Sequence, residues 1–129
     1  MRAKSLITVI LLFNISIGVY SQSITRVVSN DVGKLLKNNP EMVVLDVRTP
    51  MEFNQGHVKG AINIDISQPN FYDKILKLDK EKTYLVYCRT HNRSGAAVNY
   101  MSQNGFKNLY QMTDGISGWN MNHLVLESK

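Results

Sequence analysis

The chain has 129 residues, with 15 lysines and arginines, 10 aspartates and glutamates, and one cysteine. This length favours one domain, and a single cysteine excludes an internal disulfide. The positive charge is mild, and in the 73–82 segment lysines alternate with acidic residues, which argues against a nucleic-acid partner.

The N-terminal segment has the pattern of a secretory signal peptide. Arg2 and Lys4 give a basic start, residues 6–20 are mostly apolar, and Val19 and Ser21 are the small residues expected before a signal-peptidase cut. We therefore expect residues 1–21 to be removed, and residues 22–129 to form one exported domain, periplasmic or secreted, with no stable membrane insertion. An uncleaved membrane anchor is the alternative, which the short and interrupted apolar run disfavours.

Strand and helix patterns alternate along the rest of the chain. Thr49, Pro50 and Glu52 have the spacing of a capping box, and Ser29 is a further candidate N-cap. The predicted strands are 26–28, 42–45, 61–66, 83–87 and 109–112, and the predicted helices are 29–38, 50–56, 71–78, 94–104 and 115–121. This alternation predicts an α/β fold with a central parallel sheet flanked by helices on both faces. Active sites of such sheets lie at the carboxyl ends of the strands.

Cys88 lies at one of these strand ends. It follows a buried strand, and a polar segment leads from it to the helix predicted to begin at Ser94. The free backbone N–H groups of that helix, together with Arg89 and Arg93, would stabilise a thiolate, a persulfide anion or a bound oxyanion. A structural core cysteine is the alternative, but it would more naturally lie within the apolar run than after it.

Three segments carry a resemblance to a known family. Cys88-Arg89-Thr90-His91-Asn92-Arg93-Ser94 resembles the active-site loop of rhodanese-like domains, commonly C-R-x-G-x-R-S. Residues 45–53 and 56–64 resemble the family's D-V-R…E-(F/Y)…G-H-I-x-G-A-x-N-I signature, and residues 115–119 resemble its closing G-x-x-G-W segment. His91 departs from the pattern, because the family usually has glycine there, and a position that needs a positive φ would cost histidine steric strain.

The resemblance implies a rhodanese-like fold and a sulfurtransferase. Cys88 would accept sulfane sulfur from thiosulfate or a polysulfide and pass it, as a persulfide, to cyanide or a thiol, with no metal or organic cofactor. The partners would be small sulfur-containing anions and thiols, with a protein sulfur acceptor as a further candidate. The expected substrate-binding residues are Arg89, Thr90, His91, Asn92, Arg93, Ser94 and Arg48. For Arg48, a salt link that pins its loop is the alternative role, and it is favoured over direct substrate contact.

Several other functions compete with sulfur transfer by an enzyme. The same loop would serve a sulfur carrier or sensor that delivers its persulfide to a partner protein and turns over poorly alone. Four residues separate Cys88 from Arg93, a tighter loop than in cysteine-dependent phosphatases and one better suited to a sulfur atom than to a phosphate. A thiol–disulfide oxidoreductase would need a second, resolving cysteine, which the chain lacks. A zinc site would need a second pair of ligands beside Cys88 and His91. A protease would need a residue that orients His91 towards Cys88, and none is evident. Glu52 and His57 are predicted to be structural, as a capping and a hydrogen-bonding residue.

Overall fold

The computed structural model describes residues 2–3 and 23–128. Apart from Arg2 and Ala3, the predicted signal peptide therefore lies outside the described residues. Within the described part, no helix has both the length and the apolar character that crossing a bilayer requires.

Five parallel strands form one sheet. They are β1 (Ile24–Val27), β2 (Val43–Asp46), β3 (Ile62–Asn63), β4 (Thr83–Tyr87) and β5 (Asn108–Met112), in the spatial order β1-β5-β4-β2-β3. In the register of the sheet, Val86 of β4 lies beside Leu45 of β2 and Gln111 of β5. The central position of β4 explains its uninterrupted apolar run, because both of its faces are covered.

Helices cover both faces of the sheet, as the sequence predicted. They are α1 (Ser29–Asn38), α2 (Pro50–Gln55), α3 (Phe71–Leu76), α4 (Asn92–Gln103) and α5 (Gly115–Met121). On one face, Phe71 of α3 and Val98 of α4 share a core with Val86. On the other, Val32 of α1 and Trp119 of α5 pack with Leu85 and Tyr87. The predicted α/β class with a central parallel sheet is confirmed.

Several predicted bounds differ from the structure by one or two residues, as in β1 and α3, and three further differences concern particular contacts. The third strand has two residues instead of 61–66, although Ile64 and Ile66 still donate backbone hydrogen bonds to the carbonyls of Asp46 and Val47. Val28, not Ser29, is the N-cap of α1, because the backbone N–H and hydroxyl of Ser29 both donate to the Asp114 carboxylate. Helix α4 begins at Asn92, two residues earlier than predicted.

The connections of the sheet locate the candidate site. From β2 the chain moves to β3 at one edge, whereas from β4 it moves to β5 on the opposite side. The carboxyl ends of β2 and β4 thus form the crevice where open α/β sheets bind ligands. Cys88 directly follows β4, and Val47 and Arg48 directly follow β2.

Candidate active site

The sulfur of Cys88 lies deeper than the sequence predicted. The residue is 1% exposed and belongs to the core layer between the sheet and helices α3 and α4. The backbone N–H of Ser94 donates to Sγ over 3.3 Å, and the Cys88 thiol faces the Ser94 hydroxyl oxygen at 3.5 Å. So small an exposed area favours a reaction partner that presents a single terminal atom.

Helix α5 holds the beginning of the cysteine loop by its backbone. The N–H of Ile116 donates to the carbonyl of Cys88 over 2.9 Å, and the N–H of Ser117 donates to the carbonyl of Arg89 over 3.0 Å. Gly115, with a φ of +58°, lies so close beneath the loop that a side chain there would overlap the carbonyl oxygens of Arg89 and Thr90. This contact explains why the first residue of the closing G-x-x-G-W segment is glycine.

His91 occupies the usual glycine position without strain. Its φ is −141°, so the position needs no left-handed conformation. Its carbonyl accepts the first backbone hydrogen bond of α4, from Gly95 at 2.8 Å, which is why the helix begins at Asn92. The exposed side chains of His91 and Asn92 line a hollow of about 580 Å³ next to Arg26 and Asn99, and Thr90 is half-buried within the loop.

Arg93 is bound to a carboxylate rather than free in the loop. Its Nη1 and Nη2 atoms donate to Oε2 and Oε1 of Glu52 over 2.9 and 2.8 Å. Glu52 also completes the capping box with Thr49 at the start of α2, as the sequence predicted. Hydrogen bonds from Arg93, and secondarily from Thr49, lower the pKa of Glu52 from 4.5 to about 2. This pair joins α2 to α4 across the crevice.

Arg48 makes the salt link that was its alternative role. Its Nη2 lies 2.6 Å from Oδ2 of Asp46 and donates to the carbonyl of Gly56 over 2.8 Å. The residue is 4% exposed, and its guanidinium lies 5.6 Å from the centre of the Tyr87 ring. Arg48 therefore fixes the segment after β2, and only its edge borders the surface hollow described next.

Arg89 differs from both other arginines. It is exposed, and within residues 23–128 no hydrogen bond or ion pair engages its guanidinium. It lines a hollow of about 370 Å³ together with Ser117, Asn120 and the edges of Arg48 and Glu52. Since Arg48 and Arg93 are each paired with a carboxylate, the uncompensated positive charge of the loop is on Arg89.

Gln111 is the residue at this site that the sequence reasoning missed. It lies in β5, is 3% exposed, and donates from Nε2 to the carbonyl of His91 over 2.9 Å and to Oγ of Ser94 over 3.0 Å. The available signal was a polar amide inside an otherwise apolar strand.

His57 has the predicted structural role: its ring stacks on Phe53, and its Nδ1 lies 2.9 Å from the Phe53 carbonyl. Among the described residues, no group of histidine, cysteine and acidic side chains is arranged to hold a metal ion.

The Glu52–Arg93 pair makes stability depend on pH. The pKa of Glu52 is lowered on folding, so its contribution is present above about pH 4.5 and is lost as the pH falls towards 2. Because both side chains are about one-third exposed, solvent screening limits the effect to about 1 kcal/mol. In urea unfolding at pH 6, the free energy of unfolding of the native protein should exceed that of Glu52→Gln by this amount. The difference should be smaller at pH 3. A difference independent of pH would contradict this account.

A model of the rhodanese-like domain family matches residues 29–122. The thiosulfate sulfurtransferase GlpE of Tolumonas auensis is 32% identical over 96 residues, which cover 74% of this chain and 87% of that protein. The tRNA uridine(34) hydroxylase of Pelagibacter ubique is 35% identical over 94 residues, which cover 72% of this chain but 31% of that protein. The chain thus spans about a third of the length of this second relative.

Solved structures show the same fold. A rhodanese-related protein of Thermoplasma volcanium superposes with a TM-score of 0.71 at 31% identity, over 81% of this chain and 99% of that chain. The polysulfide-sulfur transferase homodimer of Wolinella succinogenes gives a TM-score of 0.67 at 28% identity, over 82% of this chain and 80% of that chain.

Proposed function

This chain belongs to the rhodanese-like domain family, and from that premise we propose that it is a sulfurtransferase carrying sulfane sulfur on Cys88. The observation that carries the proposal is the placement of Sγ at the end of β4, under the backbone N–H of Ser94 in the first turn of α4. A helix N-terminus stabilises negative charge, and both a thiolate and a persulfide are anions. The similarity to a thiosulfate sulfurtransferase supports the same chemistry.

The proposed reaction has two steps. In the first, the Cys88 thiolate attacks the outer sulfur of thiosulfate, a new S–S bond forms, and the bond to the sulfonate sulfur breaks. Its electron pair leaves with sulfite, and the enzyme holds a persulfide anion. In the second, a nucleophile such as cyanide attacks the outer sulfur of the persulfide, thiocyanate leaves, and the thiolate returns. A polysulfide would react as the donor in the same way, with a shortened polysulfide as the leaving group.

The loop residues divide this work. Ser94 stabilises the sulfur anion through its N–H at 3.3 Å and its hydroxyl at 3.5 Å. Arg89, which lines the hollow beside the loop, attracts the oxyanion end of the donor. Arg93 holds α4 against α2 through its ion pair with Glu52. It acts on the substrate only through the electrostatic field of its charge, without direct contact. Thr90, His91 and Asn92 form the backbone of the turn.

A non-turnover sulfur carrier for a partner protein is the alternative. It uses the same persulfide, so the two functions separate in the second step and not in the first. Rapid thiocyanate production from thiosulfate and cyanide supports the enzyme. A stable persulfide that cyanide does not discharge supports the carrier.

Arg89 provides the test of donor binding. Arg89→Met keeps the length of the side chain and removes its charge, so we expect the KM for thiosulfate to rise about fivefold, equivalent to roughly 1 kcal/mol of attraction. The kcat and the melting temperature should stay nearly unchanged, because within the described residues the guanidinium of Arg89 has no partner to lose.

Lys37→Met is the matched control. Lys37 is exposed in the last turn of α1, and the chain runs from there to the amino end of β2. Because the cysteine loop follows the carboxyl end of β4, this substitution removes the same charge away from the loop. An unchanged KM in Arg89→Met, or an equal rise in Lys37→Met, would contradict the assigned role of Arg89.

A further inference from the structure

We propose that Gln111 is a positioning residue for the Cys88 anion, which acts through the hydroxyl of Ser94; the inference rests on the proposed sulfur chemistry. Gln111 lies on β5, next to β4, and its side chain is buried against the cysteine loop. Within the described residues its amide makes no hydrogen bond to Sγ, so its effect must pass through its two partners, the carbonyl of His91 and Oγ of Ser94.

The Ser94 hydroxyl stands between three groups. Its Oγ accepts a hydrogen bond from Nε2 of Gln111 over 3.0 Å, lies 3.2 Å from the carbonyl of His91, and lies 3.5 Å from Sγ of Cys88. A hydroxyl has one proton to donate and two lone pairs to accept with. Since Gln111 occupies one lone pair, the proton is directed either to the His91 carbonyl or to the sulfur.

The protonation state of Cys88 decides between these directions. A neutral thiol can donate to Oγ, and the hydroxyl proton then goes to the His91 carbonyl. A thiolate or persulfide has no proton to donate and needs a donor instead. The hydroxyl can then turn to the sulfur, because the His91 carbonyl keeps two other hydrogen bonds, from Gly95 and from Gln111.

Gln111 therefore lowers the free-energy cost of turning the Ser94 hydroxyl towards the sulfur. Without its amide, the His91 carbonyl would lose one hydrogen bond, and it would compete more strongly with the sulfur for the Ser94 proton. The anionic form of Cys88 would be destabilised relative to the thiol, whereas access to the sulfur would not change.

Iodoacetamide alkylation of Cys88 tests the proposal, because it reports the thiolate without any sulfur substrate. In Gln111→Met, of similar volume but without a donor, we expect the rate at pH 7 to fall roughly three- to tenfold, the size expected for one hydrogen bond to an anion. At pH 10, well above the ordinary pKa of a cysteine thiol, the two rates should agree. Gln103→Met, at an exposed glutamine of α4, is the control and should match the native protein at both pH values.

A second pair of variants tests the route through Ser94. In a Ser94→Ala background, Gln111→Met should have no additional effect, because the hydroxyl that transmits it is absent. Gln111→Asn, whose amide is one methylene too short to reach both partners, should show a smaller fall at pH 7 and covers the case in which the methionine variant does not fold. Equal falls at pH 7 and pH 10, no fall at pH 7, or additive effects of Gln111→Met and Ser94→Ala would overturn the proposal. A native protein that alkylates as expected but transfers no sulfur would overturn the proposed function alone.

Discussion

Replacing Cys88 with serine is expected to reduce thiocyanate formation from thiosulfate and cyanide below detection while the protein stays folded. A serine oxygen cannot form the persulfide on which both steps depend. The hydroxyl fits the space of the thiol and can still donate to Oγ of Ser94, which Cys88 faces at 3.5 Å. Because the residue is 1% exposed, we expect a stability loss of roughly 1 to 2 kcal/mol, measured by urea unfolding.

Cys88→Ala is the control for this substitution. It also lacks the sulfur but adds no buried hydroxyl, so the two variants should share the loss of activity and differ only in stability. Circular dichroism shows whether each variant is folded. Sulfur transfer by either folded variant would mean that Cys88 is a structural core residue, which its burial alone would also allow.

Gly115→Ala is expected to cause the second large loss. The residue has a φ of +58°, and a methyl group there would overlap the backbone carbonyls of Arg89 and Thr90. Backbone cannot move aside as a flexible side chain can, so either the cysteine loop or the start of α5 must shift. We expect a destabilisation of at least about 3 kcal/mol, and, in the folded fraction, at least a tenfold loss of kcat/KM.

Gly33→Ala is the matched control for that variant. Gly33 lies within α1, and a Cβ there would meet no atom within 4 Å beyond its own stretch of helix backbone. The same change should therefore stabilise the protein by roughly 0.5 to 1 kcal/mol, since alanine favours a helix over glycine. If Gly115→Ala kept the native stability and kcat/KM, the close packing of α5 under the loop would not be what shapes the active site.

The elements that were predicted well are those whose signals are local. The apolar run of β4 and the spacing of α5 gave both elements with the bounds that the structure has, 83–87 and 115–121. The capping box of Thr49 and Glu52 is likewise present. Strand β3 was predicted too long, because alternating residues at 61–66 also suit an edge segment that follows the neighbouring strand only in part.

The candidate site was predicted in position but not in its contacts. Sequence order places Cys88 after β4, whereas the ion pair of Arg93 with Glu52 joins residues 41 positions apart, which no local pattern encodes. The sequence predicted that α4 begins at Ser94. In the structure its hydroxyl faces the sulfur, and the His91 carbonyl begins the helix. The hydrogen bonds of Gln111 to His91 and Ser94 are likewise long-range contacts that no local pattern encodes.

Intact mass spectrometry of the native protein, before and after incubation with thiosulfate, tests the central claim most directly. The account predicts a gain of one sulfur atom, located on the peptide that contains Cys88, absent in Cys88→Ser, and lost when cyanide or a thiol is added. An unchanged mass with thiosulfate and with polysulfide, in a protein whose Cys88 remains reduced and folded, would contradict it.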